Sequence, residues 1–327
     1  MKRFLFIGEL KANVGPTHVN KVFIEHCDHS MNFVKLGHVR YIRRLESVFK
    51  CLFFKNIVFS SIPPSLEFRI AKVFKKRIFY LMHGCVEYEN AINQMYYNQE
   101  LLDSEIEMFE SSYKIIAVSE TYAGWVKDRY PQYSNKVTYI NNALSLNSTF
   151  VERKKLSKSE KTIAVTGGNR FQKCNIDICK AVEYLNSKGY NIHIKVFGEF
   201  FKNGDSLMDY SFVSKMGQME KEQYYKELLD TDLMVLNSEV ESFGLVVGDA
   251  LNCGCSLLMS KNVGAICVFE DLRDTDIIQD NHNIDEISNK ICFLLCNSNA
   301  NRLFNSLDHQ KCSGKNAYLR LKSICLG

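Results

Sequence analysis

Short apolar runs rich in β-branched residues alternate with longer stretches of helical spacing along most of this 327-residue chain, and that alternation limits what it can fold into. Runs at 3–9 (RFLFIGE), 56–61, 77–84, 114–119 and 136–142 read as buried strands in the first half. TIAVTGG (162–168), IHIKVFG (192–198), DLMVLNS (232–238) and CSLLMS (255–260) repeat the pattern in the second. Between them, Ile178, Ala181, Val182 and Leu185 share one helical face, and Gly189 follows where a C-terminal cap belongs. Strands that are apolar throughout need cover on both faces, which means parallel sheets flanked by helices. The predicted class is α/β, with doubly wound sheets.

The pattern restarts once. Residues 145–161 (SLNSTFVERKKLSKSEK) are polar, rich in Ser and Lys, and without apolar periodicity. They suggest a first domain at 1–148, a linker at 149–161, a second domain at 162–310, and a C-terminal helix at 311–327 packing back on the first. Ligands of doubly wound domains bind outside the carboxyl ends of the strands, so a cleft between the two domains is the expected site.

An apolar content of 46% with 24% charged residues is that of a soluble globular protein. The apolar run that opens the chain is too short for a secretory segment, and no later run is long enough to span a bilayer, so a cytoplasmic protein is expected. The twelve cysteines include no CxxC, and no Cys/His group has metal-ligand spacing. Reduced thiols and no metal are therefore expected. Net charge is only +4, but residues 1–80 hold fifteen Lys/Arg against five Asp/Glu. Clusters within 40–77, such as RYIRRLESVFK and AKVFKKR, interleave cations with aromatic and aliphatic residues. That composition suits an anionic membrane surface, the alternative being an ordinary solvated basic face. A nucleic-acid partner is disfavoured, because the strongest motifs lie in the acidic remainder of the chain.

Four stretches could carry chemistry. In EVESFGLVVGDALNCG (239–254), Glu241 falls in a strand–helix turn, and Asp249 follows eight positions later in a helix expected to run from Phe243 to a cap at Gly254. If helical throughout, that spacing is up to ~12 Å, too wide for a glycosidase acid–base pair but suited to gripping the two ends of an elongated ligand. The helix N-terminus between them favours an anion. In TGGNRFQKCN (166–175), Gly167 and Gly168 permit close backbone approach, and Arg170 and Lys173 supply cations for a diphosphate. A solvated basic loop is the other reading, and neither a P-loop nor a GxGxxG fingerprint is present. In MHGCVEYEN (82–90), His83 ends a strand, as a structural or a functional histidine would. In KANVGPTHVNKVF (11–23), Gly15 lies between the first strand and its helix.

Together these stretches resemble the family 4 retaining glycosyltransferases of the GT-B fold, which carry a Glu-x7-Glu motif. ESFGLVVGDA (241–250) matches that motif, except that its second acid is Asp249. IIAVSETY (115–122), VTYINNAL (137–144) and VSKMGQMEKEQYYKELLDTDLMVLNSEVESFG (213–244) follow in family order. The resemblance implies two Rossmann-like domains facing across a cleft. It further implies metal-independent transfer of a sugar, with retention, from a nucleoside-diphosphate donor (UDP favoured) to a glycan or lipid-linked glycan acceptor, with no other cofactor. By this resemblance Arg170 and Lys173 hold the diphosphate, and Glu241 binds the donor sugar near the amides of Phe243 and Gly244. Gly168, Leu245 and Gly15 line the donor, Asp249 takes the ribose, and His83 contacts the sugar. Three departures stand out: the shortened Asp249; SKNVGAI, where the family's usual glycine pair is reduced to Gly264; and Arg170 only three residues before Lys173, tighter than in many members. A sugar-nucleotide epimerase and a non-catalytic binding protein of the same fold are the competing readings.

Overall fold

A computed structural model describes residues 3–11, 15–34, 40–62, 65–94, 99–152 and 159–327. It divides into two compact units. The first comprises residues 1–90, 95–143 and 309–327, and the second 91–94 and 144–308.

Among the described residues the first unit is built on six strands: β1 (Phe4–Ile7), β2 (Met31–Phe33), β3 (Asn56–Ser60), β4 (Arg77–Met82), β5 (Lys114–Ala117) and β6 (Val137–Tyr139). They pair in parallel in the order β2-β1-β3-β4-β5-β6. β1 and β3 are buried along their whole length, as continuous apolar runs between two helical layers require. The helix Gly314–Leu326 also belongs to this unit, where the Tyr318 hydroxyl donates to Asp28 (2.7 Å) and Arg320 Nε donates to the Tyr139 carbonyl (2.6 Å).

The second unit contains β7 (Lys161–Thr166), β8 (Ile192–Phe197), β9 (Val213–Gly217), β10 (Leu233–Leu236), β11 (Ser256–Ser260) and β12 (Ile277–Ile278). Their order is β12-β11-β10-β7-β8-β9, again all parallel. The chain starts in the middle at β7, winds outward through β8 and β9, then crosses back to β10. The winding direction therefore reverses between β7 and β10, and a doubly wound sheet opens a binding crevice at such a switch point. Ile163, Val165, Leu233 and Val235 from these two strands pack with Ile178, Val182 and Leu185 of the helix Asn175–Ser187 in a continuous core. That helix ends where expected, with Gly189 at φ +94°.

Every strand expected from the sequence is present, but β2, β9 and β12 were not anticipated. All three are edge strands. β9 (VSKMG) has its apolar residues interrupted by Ser214 and Lys215, and β12 is only two residues long, so neither carries the apolar run that marks a strand buried on both faces. The segment expected to be a linker ends earlier than predicted, since Lys161 already belongs to β7; residues 153–158 lie outside the described residues.

Candidate functional site

The loops after β7 and β10, the strands that flank the switch point, bring the two principal motifs together. After β7, Gly167 and Gly168 take φ values of +88° and +62°, and Gly168 passes so close to Glu199 that a Cβ would lie 1.7 Å from its carbonyl oxygen. Only glycine fits there. Asn175 fastens the turn by donating to the carbonyls of Thr166 (3.2 Å) and Gly168 (2.8 Å). A single 3₁₀ turn, Phe171–Lys173, then directs Lys173 inward, where it is 8% exposed.

Lys173 forms an ion pair with Glu241 from the loop after β10. Burial alone would push the Glu241 carboxyl up. The Lys173 charge and hydrogen bond, the nearby Arg170 charge and the Phe243 amide outweigh it and hold the group below its ordinary value. Glu241 is thus an ionised carboxylate beside two cations in a largely dry setting. Its backbone is pinned as well: its N–H donates to the Asn262 carbonyl (3.2 Å), and its carbonyl accepts from Gly264 (2.9 Å). The backbone of SKNVGAI therefore braces Glu241 through both its N–H and its carbonyl. Arg170 lies alongside, its Nε donating to the Gly167 carbonyl (3.2 Å).

The helix carrying Asp249 is shorter than expected. It spans Val246–Asn252, because Gly244 at φ +90° turns the chain out of helical geometry just before it. Phe243 is buried and its amide serves Glu241, while Leu245 is the N-cap residue. The stretch from Glu241 to Asp249 is accordingly a turn followed by less than two helical turns, and the ~12 Å helical span does not apply. Asp249 accepts a hydrogen bond from the hydroxyl of Tyr225, whose own pKa is raised by burial and by that carboxylate. Tyr225 was not among the predicted site residues. Its partner is 24 positions away and nothing in the local pattern of its helix, Lys221–Leu229, distinguishes it.

In the first unit, His83 follows β4 and is half-buried, with burial lowering its pKa to about 4. A relay of hydrogen bonds fixes its proton. Asn20 Nδ2 donates to the Glu9 carbonyl (2.9 Å), leaving its Oδ1 to accept from the Ser60 hydroxyl (2.6 Å). With that hydroxyl proton committed, Ser60 Oγ can only accept from His83 Nε2 (2.7 Å). His83 is therefore a neutral imidazole protonated on Nε2, its Nδ1 carrying a lone pair. Gly15 is the exposed first residue of the helix Gly15–Glu25, and residues 12–14 of its loop lie outside the described residues.

Residues 148–308 match the family model of glycosyl transferases group 1. No curated relative matches the chain. Among solved structures, HepE of Anabaena in complex with UDP and glucose is similar over 99% of both chains, at 12% identity with a TM-score of 0.68. WaaG, a glycosyltransferase involved in lipopolysaccharide biosynthesis, is similar at 12% identity and a TM-score of 0.63, over 99% of this chain and 100% of that one. The apo form of WaaB, a lipopolysaccharide outer core galactosyltransferase, matches at 12% identity and a TM-score of 0.66, over 98% of this chain and 99% of that one. The fold is GT-B. Within the GT-B chain, the segment matching group 1 contains Arg170, Lys173, Glu241 and Asp249, whereas His83 and Gly15 lie before it.

Proposed function

We propose that this chain transfers a sugar, with retention, from a nucleoside-diphosphate donor, UDP-sugar being favoured, to a glycan or lipid-linked glycan acceptor in surface polysaccharide biosynthesis. The observation that carries this reading is the ion pair of Lys173 with an ionised Glu241, beside Arg170, at the switch point of the second sheet. Two cations at strand carboxyl ends suit a diphosphate, and a carboxylate between them and a tight turn suits sugar hydroxyls. HepE has been captured with UDP-glucose, and WaaG and WaaB act in lipopolysaccharide synthesis, which supports the donor and acceptor classes.

In this reading Arg170 and Lys173 neutralise the leaving diphosphate. Glu241 accepts hydrogen bonds from the donor sugar, Asp249 binds the ribose with Tyr225 holding its orientation, and neutral His83 hydrogen-bonds a sugar hydroxyl. The acceptor hydroxyl attacks the anomeric carbon on the face from which the phosphate departs. As the anomeric C–O bond to phosphate breaks, the departing phosphate oxygen takes the acceptor proton, so no enzymic base and no metal are needed. Loading with UDP and UDP-sugars tests the donor class: a rise in melting temperature with UDP is expected, because a ligand of the native state stabilises it by mass action. Absence of any shift with every nucleoside diphosphate overturns the assignment. Donor turnover without an acceptor would favour the epimerase reading instead.

The acceptor side of the proposal includes peripheral contact with an anionic membrane, consistent with a cytoplasmic setting. Among the described residues no helix is long and apolar enough to cross a membrane. The helix Arg40–Phe53 nevertheless leaves Leu45 (70%), Phe49 (62%) and Phe53 (69%) exposed at i, i+4 and i+8. Val73 (76%) and Phe74 lie exposed at the end of the helix Ser65–Val73, which packs against it, with Lys72, Lys75 and Lys76 alongside. Exposed aromatics bordered by lysines match an anionic lipid interface.

A further inference from the structure

The second unit gathers a further cluster that the proposed transfer reaction does not use. Cys174 closes the turn after β7, Glu239 lies in the loop after β10, and His282 lies between β12 and the helix Ile284–Cys296. One donor atom from each falls within 4.8 Å of the other two. We propose that Cys174, Glu239 and His282 bind a single borderline-soft divalent cation of the Zn²⁺ type, with Asp177 orienting the histidine.

Two observations support the site independently of the glycosyltransferase reading. The first is the geometry at His282. Its Nδ1 lies 2.8 Å from Asp177 Oδ2, and its Nε2 faces Glu239 Oε1 at 3.4 Å. A metal-binding histidine characteristically gives its second ring N–H to a carboxylate, which aims the other nitrogen at the ion. The 3.4 Å separation is long for a hydrogen bond. It matches the ~3.4 Å between nitrogen and oxygen ligands placed tetrahedrally about one Zn²⁺, given bond lengths near ~2.0–2.2 Å.

The second is preorganisation. Asn237 and Asn281, both buried, exchange side-chain-to-backbone hydrogen bonds of 2.8 and 2.7 Å, fixing the loop of Glu239 against the loop of His282. The Glu239 amide donates to the Gln172 carbonyl (2.9 Å), which fixes the same loop against the turn of Cys174. On binding, the S–metal bond forms at Cys174 as the thiol proton leaves to solvent.

A thiolate, an imidazole and a carboxylate form a mixed donor set suited to Zn²⁺ rather than Mg²⁺ or Ca²⁺. His282 is exposed, so water can complete the fourth position. Cys174 directly follows Lys173, and Glu239 precedes Glu241 by two residues, so a bound ion would staple the two loops that carry the donor-site pair.

The test is metal binding to the full chain after chelator treatment, read without any transferase assay. The wild type is expected to take up one Zn²⁺, and Co²⁺ in its place to show thiolate-to-metal charge-transfer absorption. Cys174→Ser should abolish that absorption while its circular dichroism stays native. His282→Ala, at an exposed position that leaves the fold intact, should weaken Zn²⁺ binding by more than about 100-fold, and Asp177→Asn by about 10–100-fold. The proposal fails if the wild type takes up no Zn²⁺. It also fails if folded Cys174→Ser or His282→Ala binds the ion as tightly as wild type, which would assign it to other cysteines.

Discussion

Lys173 and Glu241 are each the reason the other is tolerated in a buried place, and neither is replaceable alone. Lys173→Met leaves an uncompensated carboxylate in a largely dry setting, at an expected cost of about 3–5 kcal/mol, whereas Lys173→Met with Glu241→Gln should recover much of it. A chemical-denaturation cycle over the four proteins measures this, and additivity would show that the pair is not coupled. Both single variants should also lose at least about 100-fold in sugar transfer. His83 has a different pH signature. Its folded value of about 4 lies below the ordinary 6.5, so between those values the unfolded chain binds the extra proton. Stability should therefore rise with pH across that window and fall, by up to about 3 kcal/mol, as pH drops from 6.5 towards 4. His83→Gln should flatten this slope, and an unchanged slope would refute the assignment. At this scale the sequence was informative where one residue type is forced, as at Gly168, Lys173 and Glu241. It was silent on Ser60, Tyr225 and the Cys174–Glu239–His282 group, because their partners come together only when separate strands align.

The turn after β7 is the element on which the site most depends, and glycines of two kinds distinguish close approach from simple backbone freedom. A Cβ on Gly168 would meet the Glu199 backbone at 1.7 Å, whereas a Cβ on Gly189, also at positive φ, meets nothing within 4 Å. Gly189→Ala should cost only the left-handed strain of about 1–2 kcal/mol. Gly168→Ala must move the Glu199 segment as well, and should lower the melting temperature distinctly more. Equal effects in thermal unfolding would contradict the close approach. The inner strands of both sheets were readable because burial on both faces demands unbroken apolar runs. The edges β2, β9 and β12 were not, since an edge strand has fewer neighbours to satisfy. The helix at Val246 was overextended for a related reason: the apolar content of FGLVV says buried, but only the φ of Gly244 says where the helix starts.

Across the whole molecule, basic and apolar surface coincide in the first unit, and flotation with vesicles examines the consequence. Binding to anionic vesicles at low salt, weakened by salt and absent with neutral lipid, is expected. Phe49→Ser with Phe53→Ser should reduce it at least about tenfold without altering the fold, because both rings are exposed. Equal binding by the double variant would remove this face from the proposal. The return of the helix Gly314–Leu326 to the first unit also bears on biosynthesis. Asp28 receives Tyr318 and Lys322 from residues made almost three hundred positions later. On the ribosome the second unit can complete its sheet while the first, though begun earlier, still lacks a covering helix. The unit with the exposed aromatics is thus the last to be finished, and a chain interrupted after the second unit would display its unsealed apolar surface to chaperones and proteases.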